Sequence, residues 1–259
     1  MSERLESACQ AALAGGEILL RWAGKIAAKE KAPSDLVTQA DVESQEVIER
    51  LLLSSYPEYE FLGEEGNPDE GPSSGKPRWI VDPLDGTMNY VHGLANYSVS
   101  IGLEEEGEMV LGVVYDPLTE ELFTAIKGKG AFLNGKKIQT SEVSKLNQGL
   151  IAASFGNQIT REAPEVEHFL RVLEKAQGVR RMGSAALNLC YVASGRLDGY
   201  WATTTHLWDI AAGMVILTEA GGQWSGFDGE PFDPLVPHFI AASTEPLHQA
   251  LTNCLHDRK

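Results

Sequence analysis

The sequence predicts an α/β chain of the α+β kind, and two observations carry that prediction. Residues 97 to 138 alternate apolar and polar positions and are punctuated by tight-turn dipeptides, Glu106-Gly107 and Asn134-Gly135. That is the pattern of an antiparallel meander. From about residue 150, strand-length apolar runs alternate with helix-length amphipathic ones, the pattern of strands joined through helices. A chain of 259 residues has room for one large domain or two joined halves.

The elements follow in order. Residues 4 to 23 place Leu5, Ala8, Ala12 and Leu19 at helical spacing. Gly15 and Gly16 weaken that helix but permit close packing. A loop with Pro33 and Ser34 comes next. Val42, Val47, Ile48, Leu51 and Leu52 then mark a second amphipathic helix over 42–55. Residues 66–77, GNPDEGPSSGKP, read as a polar loop. Trp79, Ile80 and Val81 read as a buried strand, and the meander follows. In the second half GLIAASF is a strand and 164–177 a helix; VRRMG is a short strand and 184–194 a helix. LDGYWAT, helix 209–221, strand HFIAAS and helix 245–256 complete the chain. A boundary falls near 145, giving halves 1–145 and 146–259. No flexible linker marks it, so the halves are expected to pack closely.

Composition excludes several classes. Net charge is -16, which repels phosphate backbones and argues against a nucleic-acid polymer as partner. The three cysteines, Cys9, Cys190 and Cys254, have no CxxC spacing, which fits a reducing compartment. The start MSERLESACQ is not a signal peptide, and no run approaches the roughly 18 apolar residues of a membrane span. The expectation is a soluble cytoplasmic protein with no membrane partner. Most of the negative charge is read as solubility, with Glu104, Glu105, Glu106 and Glu108 forming a solvated hairpin tip.

One apparent motif is a decoy. Gly130 to Lys137, GAFLNGKK, matches the start of a phosphate-binding P-loop. Lys137 stands where that loop needs a serine or threonine to ligate magnesium. Asn134-Gly135 reads better as a hairpin turn.

The chemistry lies in WIVDPLDGTMNYVHG, residues 79–93. Asp82 and Asp85 sit at a strand end and can face one small volume. Two carboxylates held together raise one another's pKa, and a divalent cation relieves that repulsion. Oxygen donors suit magnesium, manganese or calcium. Gly86 and Thr87 read as a turn into a helix whose N–H groups can meet a phosphate. The alternative is that both aspartates only cap a helix. Glu64 and Glu65 lie upstream in GEEG, and Asp209 opens the helix of HLWDIAAGMVILTEAGG. Asp209 alone reads as an N-cap; with Glu64, Asp82 and Asp85 it makes a carboxylate cage for two metals.

Taken together, WIVDPLDGTMNYVHG, GEE, DLVTQAD and LWDIAAGMVILTEAGG resemble the inositol monophosphatase family, of the magnesium-dependent, lithium-sensitive phosphatase group. The motifs run in family order from about residue 35 to 222. The resemblance implies a layered α/β/α/β/α sandwich, with an antiparallel sheet in the first half and a mixed sheet in the second. It implies that Glu64, Asp82 and the Leu84 carbonyl bind one metal, and Asp82, Asp85 and Asp209 a second. Glu65 would hold a further ion through water. Asp41 and Thr87, with Glu64, would form the catalytic group that positions and deprotonates the attacking water. Asp85, Gly86, Thr87, Ser184, Ala185, His206 and Asp209 would meet the substrate, with Asn157 near the same pocket. Two or three Mg2+ ions are implied, with Mn2+ as an alternative, Li+ as inhibitor, a small phosphorylated substrate, and a homodimer.

The chain departs from the family pattern at Ala202. An acidic residue often stands there, seven before the last metal aspartate, and accepts sugar hydroxyls. Alanine cannot. Inositol 1-phosphate therefore competes as substrate with fructose 1,6-bisphosphate, histidinol phosphate and 3'-phosphoadenosine 5'-phosphate. His206 is read as a packed histidine or a substrate contact, and Trp208 as core. A fold retained only for binding, or a calcium-storing site, would leave Asp41 and Thr87 unexplained.

Overall fold

The computed structural model describes residues 2–25, 29–32, 35–66, 75–156, 159–233, 236 and 238–256. Pro33, Ser34, Asn157 and most of the 66–77 loop lie outside these. Helix α1 (Glu3–Trp22) opens on Ser2, whose hydroxyl accepts the Leu5 N–H at 3.3 Å. A backbone hairpin, β1 (Lys29–Ala32) with β2 (Asp35–Val37), replaces the predicted loop. Its strands are too short to show an alternation. Helix α2 (Gln39–Ser55) starts three residues before the apolar pattern does, because Thr38 caps it. The Thr38 hydroxyl accepts the Ala40 N–H, and Asp41 accepts the Thr38 N–H at 3.0 Å.

The first sheet holds β3 (Glu60–Gly63), β4 (Arg78–Asp85), β5 (Ser98–Glu105), β6 (Glu108–Asp116), β7 (Glu121–Ile126), β8 (Gly130–Leu133) and β9 (Lys136–Lys137), side by side in chain order. Helix α3 (Thr87–Val91) leaves the end of β4. Every pairing is antiparallel except β3 with β4. A parallel neighbour needs a long return connection, and residues 64–77 supply it. Asn134-Gly135 turns the β8–β9 hairpin with φ of 47° and 75°, so the P-loop match is a strand pair. The glutamates near Glu106-Gly107 are not simply solvated. Glu104 pairs with Arg78 at 2.8 Å, both almost buried, while Glu105 meets Arg4 and Glu108 meets Lys127.

The second half runs β10 (Leu150–Ser154), α4 (Pro164–Lys175), β11 (Gly178–Arg180), α5 (Ala185–Ala193), β12 (Gly199–Ala202), α6 (Leu207–Glu219), β13 (Gln223–Gly226), β14 (Phe239–Ala242) and α7 (Glu245–His256). Its sheet order is β11-β10-β12-β14-β13, parallel through β10 and antiparallel at β14. The sequence pattern missed β13, whose four residues QWSG are too few to show an alternation.

Three core clusters fill the four interfaces between five layers, one of them lying on both sides of the middle helices. Leu19 and Ile48 pack α1 and α2 on Trp79, Val99 and Val113 of the first sheet. Val114 and Phe123 on its other face meet Leu189 and Ile216 of α5 and α6, which in turn meet Tyr200 and Phe239. Ile151, Trp201 and Ile240 then pack against Val172 of α4 and Leu251 of α7. The α/β/α/β/α sandwich is therefore present.

One contact fixes the middle layer. Gly102 and Gly112 face each other across β5 and β6. A Cβ on Gly112 would stand 2.3 Å from the Ala212 carbonyl oxygen, and one on Gly102 2.9 Å from Ala211 Cβ. The paired glycines form a notch that seats Ala211-Ala212, and so set the height of the N-terminal turn of α6 against the end of β4.

Candidate active site

Strand β4 answers why two aspartates end a hydrophobic run. In a regular strand, residues three apart point to opposite faces. Here Asp82 pairs with Ser100 and Asp85 with Ser98, so three steps on β4 oppose two on β5. This is a bulge. Pro83, which has no N–H to lose from the ladder, sits inside it. The Leu84 N–H donates to Asp82 Oδ1 at 2.9 Å. The extra residue turns Asp85 to the same side as Asp82. Gly86 then takes φ 97°, a left-handed turn that glycine alone adopts freely, and Thr87 starts α3.

Asp82, Leu84, Asp85, Gly86 and Thr87 form one wall of a hollow of about 200 Å3, together with Glu64 from the end of β3 and Asp209 from α6. Burial raises the Asp82 pKa well above the usual range, and the charges of Glu64, Asp85 and Asp209 raise it further. Burial pushes Asp85 up to about 6, while donors from Ser184, Ala185 and Ala186 hold it down. The Ala185 and Ala186 N–H groups donate to its two oxygens at 3.0 and 2.8 Å, and the Ser184 hydroxyl donates to one of them. Asp85 thus sits on the N-terminus of α5, where the helix dipole favours negative charge.

Asp41 lies behind this wall, fully buried at the start of α2. Thr87 Oγ1 is 3.4 Å from Asp41 Oδ1 and 3.1 Å from the Leu84 carbonyl oxygen. Burial raises Asp41 to about 6; its hydrogen bonds from Thr38 lower it and the charge of Glu65 raises it.

Three predicted residues stand elsewhere. Ser184 was expected in the alcohol pocket but is wholly buried. It caps α5, accepting the Leu187 N–H at 3.2 Å while donating to Asp85, so it orients a carboxylate. Ala185 beside it does line the hollow. The His206 ring is exposed and stacks on Trp208, with centroids 4.6 Å apart and planes at 9°. It is not part of the wall lining the hollow, and its backbone N–H donates to Asp209 Oδ2 at 2.8 Å. Trp208 is both core and stacking partner. Glu65 is also off the wall, held through its backbone by the Gln45 side chain.

The facing wall holds Ser154, Phe155 and Arg181, which the sequence reading missed, together with Thr204 and Thr205, which follow Ala202 in the chain. The Arg181 guanidinium lies 4.3 Å from the Phe155 ring centroid and donates to the Phe155 carbonyl. No signal short of the fold joins these positions, because they come from three separate strand ends.

The carboxylate wall offers only oxygen donors: three aspartates or glutamates at Glu64, Asp82 and Asp85, a fourth at Asp209, and the Leu84 carbonyl. Among the described residues no three such side chains already close on one point as a cage. They ring the hollow and share one electrostatic field instead. Hard divalent cations suit that donor set and would offset its repulsion, so these residues fit a magnesium-type ion.

The family model for the inositol monophosphatase family matches residues 1–258. The inositol-1-monophosphatase of Rhizobium meliloti is 40% identical over 250 residues, covering 93% of this chain and 92% of its own. The solved extragenic suppressor protein suhB of Bartonella henselae superposes with a TM-score of 0.92 at 36% identity, covering 98% of both chains. The Staphylococcus aureus inositol monophosphatase II has been solved with inositol monophosphate bound (TM-score 0.81, 30% identity, 96% of this chain and 91% of that one). It has also been solved with 2'AMP bound (TM-score 0.81, 32% identity, 95% and 91%).

Proposed function

The chain belongs to the inositol monophosphatase family and is a phosphatase, and from that premise we propose that it is a magnesium-dependent phosphomonoesterase acting on a small polyol or sugar phosphate. The observation that carries the reading is the β4 bulge, which turns Asp82 and Asp85 onto one hollow with Glu64 and Asp209. In this reading Glu64, Asp82 and the Leu84 carbonyl would hold one ion, and Asp82, Asp85 and Asp209 would hold a second. Glu65, which stands off the wall, would assist a third only through water. Bound divalent ions supply Lewis acidity, acidifying a water and offsetting phosphate charge.

The chain's own groups do the rest. Thr87 Oγ1, set between Asp41 and the Leu84 carbonyl, accepts from the attacking water, and its proton passes to Asp41. Asp41 is suited to that task because burial brings its pKa up to about 6. The N–H groups of Gly86 and Thr87 donate to phosphate oxygens. The seat is small, so it takes a phosphate and leaves the alcohol against the facing wall. Products are a free alcohol and inorganic phosphate. The two halves, 1–145 and 146–259, act as one closely packed unit, since the bond from Ser184 to Asp85 crosses between them. The family reading also carries a cytoplasmic homodimer inhibited by Li+. Among the described residues no helix is long and apolar enough to cross a membrane.

Inositol 1-phosphate leads the candidate substrates, as the S. aureus relative was solved with inositol monophosphate bound. That the same relative was solved with 2'AMP bound keeps 3'-phosphoadenosine 5'-phosphate beside it. Phosphate release from these two, fructose 1,6-bisphosphate and histidinol phosphate, with and without magnesium, tests the reading. Release that stops on chelation is expected. Release unchanged by chelation would remove the metal assignment.

A further inference from the structure

The wall facing the carboxylates, where the alcohol would lie, has a hydroxyl that is held in place before any substrate arrives. Ser154 is the last residue of β10 and lines the hollow. Tyr200, two positions before the end of β12, donates its phenol O–H to Ser154 Oγ at 2.8 Å. Tyr200 is wholly buried and packed edge-on against Phe239, with ring centroids 5.0 Å apart. Its hydroxyl lies between Ser154 Oγ and the Asn188 side chain. Burial also pushes its pKa above that of an ordinary phenol, so it stays a donor. The backbone of Ser154 is fixed as well: its carbonyl accepts the Thr203 N–H at 3.1 Å.

A serine hydroxyl that accepts through one lone pair keeps its own proton and a second lone pair. Ser154 therefore presents one donor and one acceptor site toward the hollow. Its cross-strand partner, Ala202, is a buried methyl and can offer neither. Thr204 also lines the hollow, but it is exposed and lies beyond the strand end, where a side chain must be ordered on binding.

We propose that Ser154 is a specificity-determining residue that hydrogen-bonds a hydroxyl on the alcohol part of a polyol phosphate, and that Tyr200 is the positioning residue that sets it. The proposal rests on the phosphatase reading. It names what that reading leaves open: the alcohol carries at least one hydroxyl near the ester, and this hydroxyl is read by a neutral partner.

Steady-state kinetics with magnesium on two probes tests this. Inositol 1-phosphate carries ring hydroxyls; phenyl phosphate has none beyond its ester. Ser154→Ala is expected to raise KM for inositol 1-phosphate about tenfold, the worth of one hydrogen bond, with kcat little changed and phenyl phosphate unaffected. Tyr200→Phe should move KM the same way by about threefold, because the serine remains but is no longer held. Ser154→Ala removes the Ser154 acceptor of the buried Tyr200 hydroxyl, so the double variant removes both ends of that bond and keeps the test readable if the single one folds poorly. The double variant should match Ser154→Ala alone, since Tyr200 acts through Ser154. Equal losses on both probes, or no change on either, would overturn the proposal. Wild-type protein that releases phosphate from neither probe would instead overturn the phosphatase reading, and this inference with it.

Discussion

The wall built by β4 carries charge, and the wall built by β10 and β12 carries neutral hydroxyls. On the first, Asp82 and Asp85 come from one short motif and are turned together by a local bulge. On the second, Ser154 and Thr204 are distant in the chain and meet only because β10 and β12 pair in parallel. The charged wall also works against its own fold, since buried carboxylates repel. The hydroxyl wall pairs Tyr200 with Ser154 and carries no such penalty. The carboxylate pair that the bulge turns is compact in sequence, whereas Glu64, Asp209 and the hydroxyl wall join it only through the fold.

The sharpest test of this contrast lies inside the charged wall. Asp82→Asn and Asp85→Asn should each cut kcat/KM on the order of a thousandfold, since both remove charge from the metal seat. Their stabilities should part. Asp82→Asn keeps an acceptor for the Leu84 N–H and deletes a repelling charge, so the metal-free protein should melt higher than wild type. Asp85→Asn disrupts the donors from Ser184, Ala185 and Ala186 and should lose about 1–3 kcal/mol. The pH dependence has a definite sign. The fold raises both carboxyls, so it favours their protonated forms. That stabilisation is complete below the unfolded carboxylate pKa and is lost as pH rises through about 6 for Asp85. Calorimetry in chelator should find the advantage of Asp82→Asn over wild type growing from pH 4 to pH 7. A constant difference would break the comparison.

A smaller effect belongs to the group behind the wall. Asp41→Asn should lower kcat about a hundredfold with little change in KM. Asp41 must be ionised to take a proton, so the wild-type rate should fall as pH drops through the region of its raised pKa, about 6. A pH–rate profile of the variant should lack that acid limb. If the limb persists, Asp41 is only the capping residue of α2. The smallest effect is expected at His206, whose ring stacks on Trp208 outside the hollow. His206→Ala should keep kcat/KM within about twofold; a tenfold loss would bring the ring back to the substrate.

Long amphipathic patterns were legible without the fold. Leu5, Ala8, Ala12 and Leu19 all face the core of α1 as their spacing required. Asn134-Gly135 turned where its dipeptide demanded. Short strands were not: β3 and β13 lack the length over which alternation can show. Spacing also could not assign direction to side chains near helix starts. Ser184 and His206 both stand one residue before a helix, yet one is buried under a carboxylate and the other is stacked in solvent.

The sequence by itself determined the donors: carboxylates at 64, 82, 85 and 209, a threonine at 87, a glycine able to take the turn at 86, and a glycine pair at 102 and 112 small enough to admit a helix. These depend on residue type, and residue type is local. Only the tertiary structure decided that the bulge turns Asp85 to the side of Asp82, that α5 claims part of its charge, and that Ser154 faces them across the hollow with Tyr200 behind it. Those outcomes depend on strand register and layer spacing, which arise from packing between segments far apart in the chain.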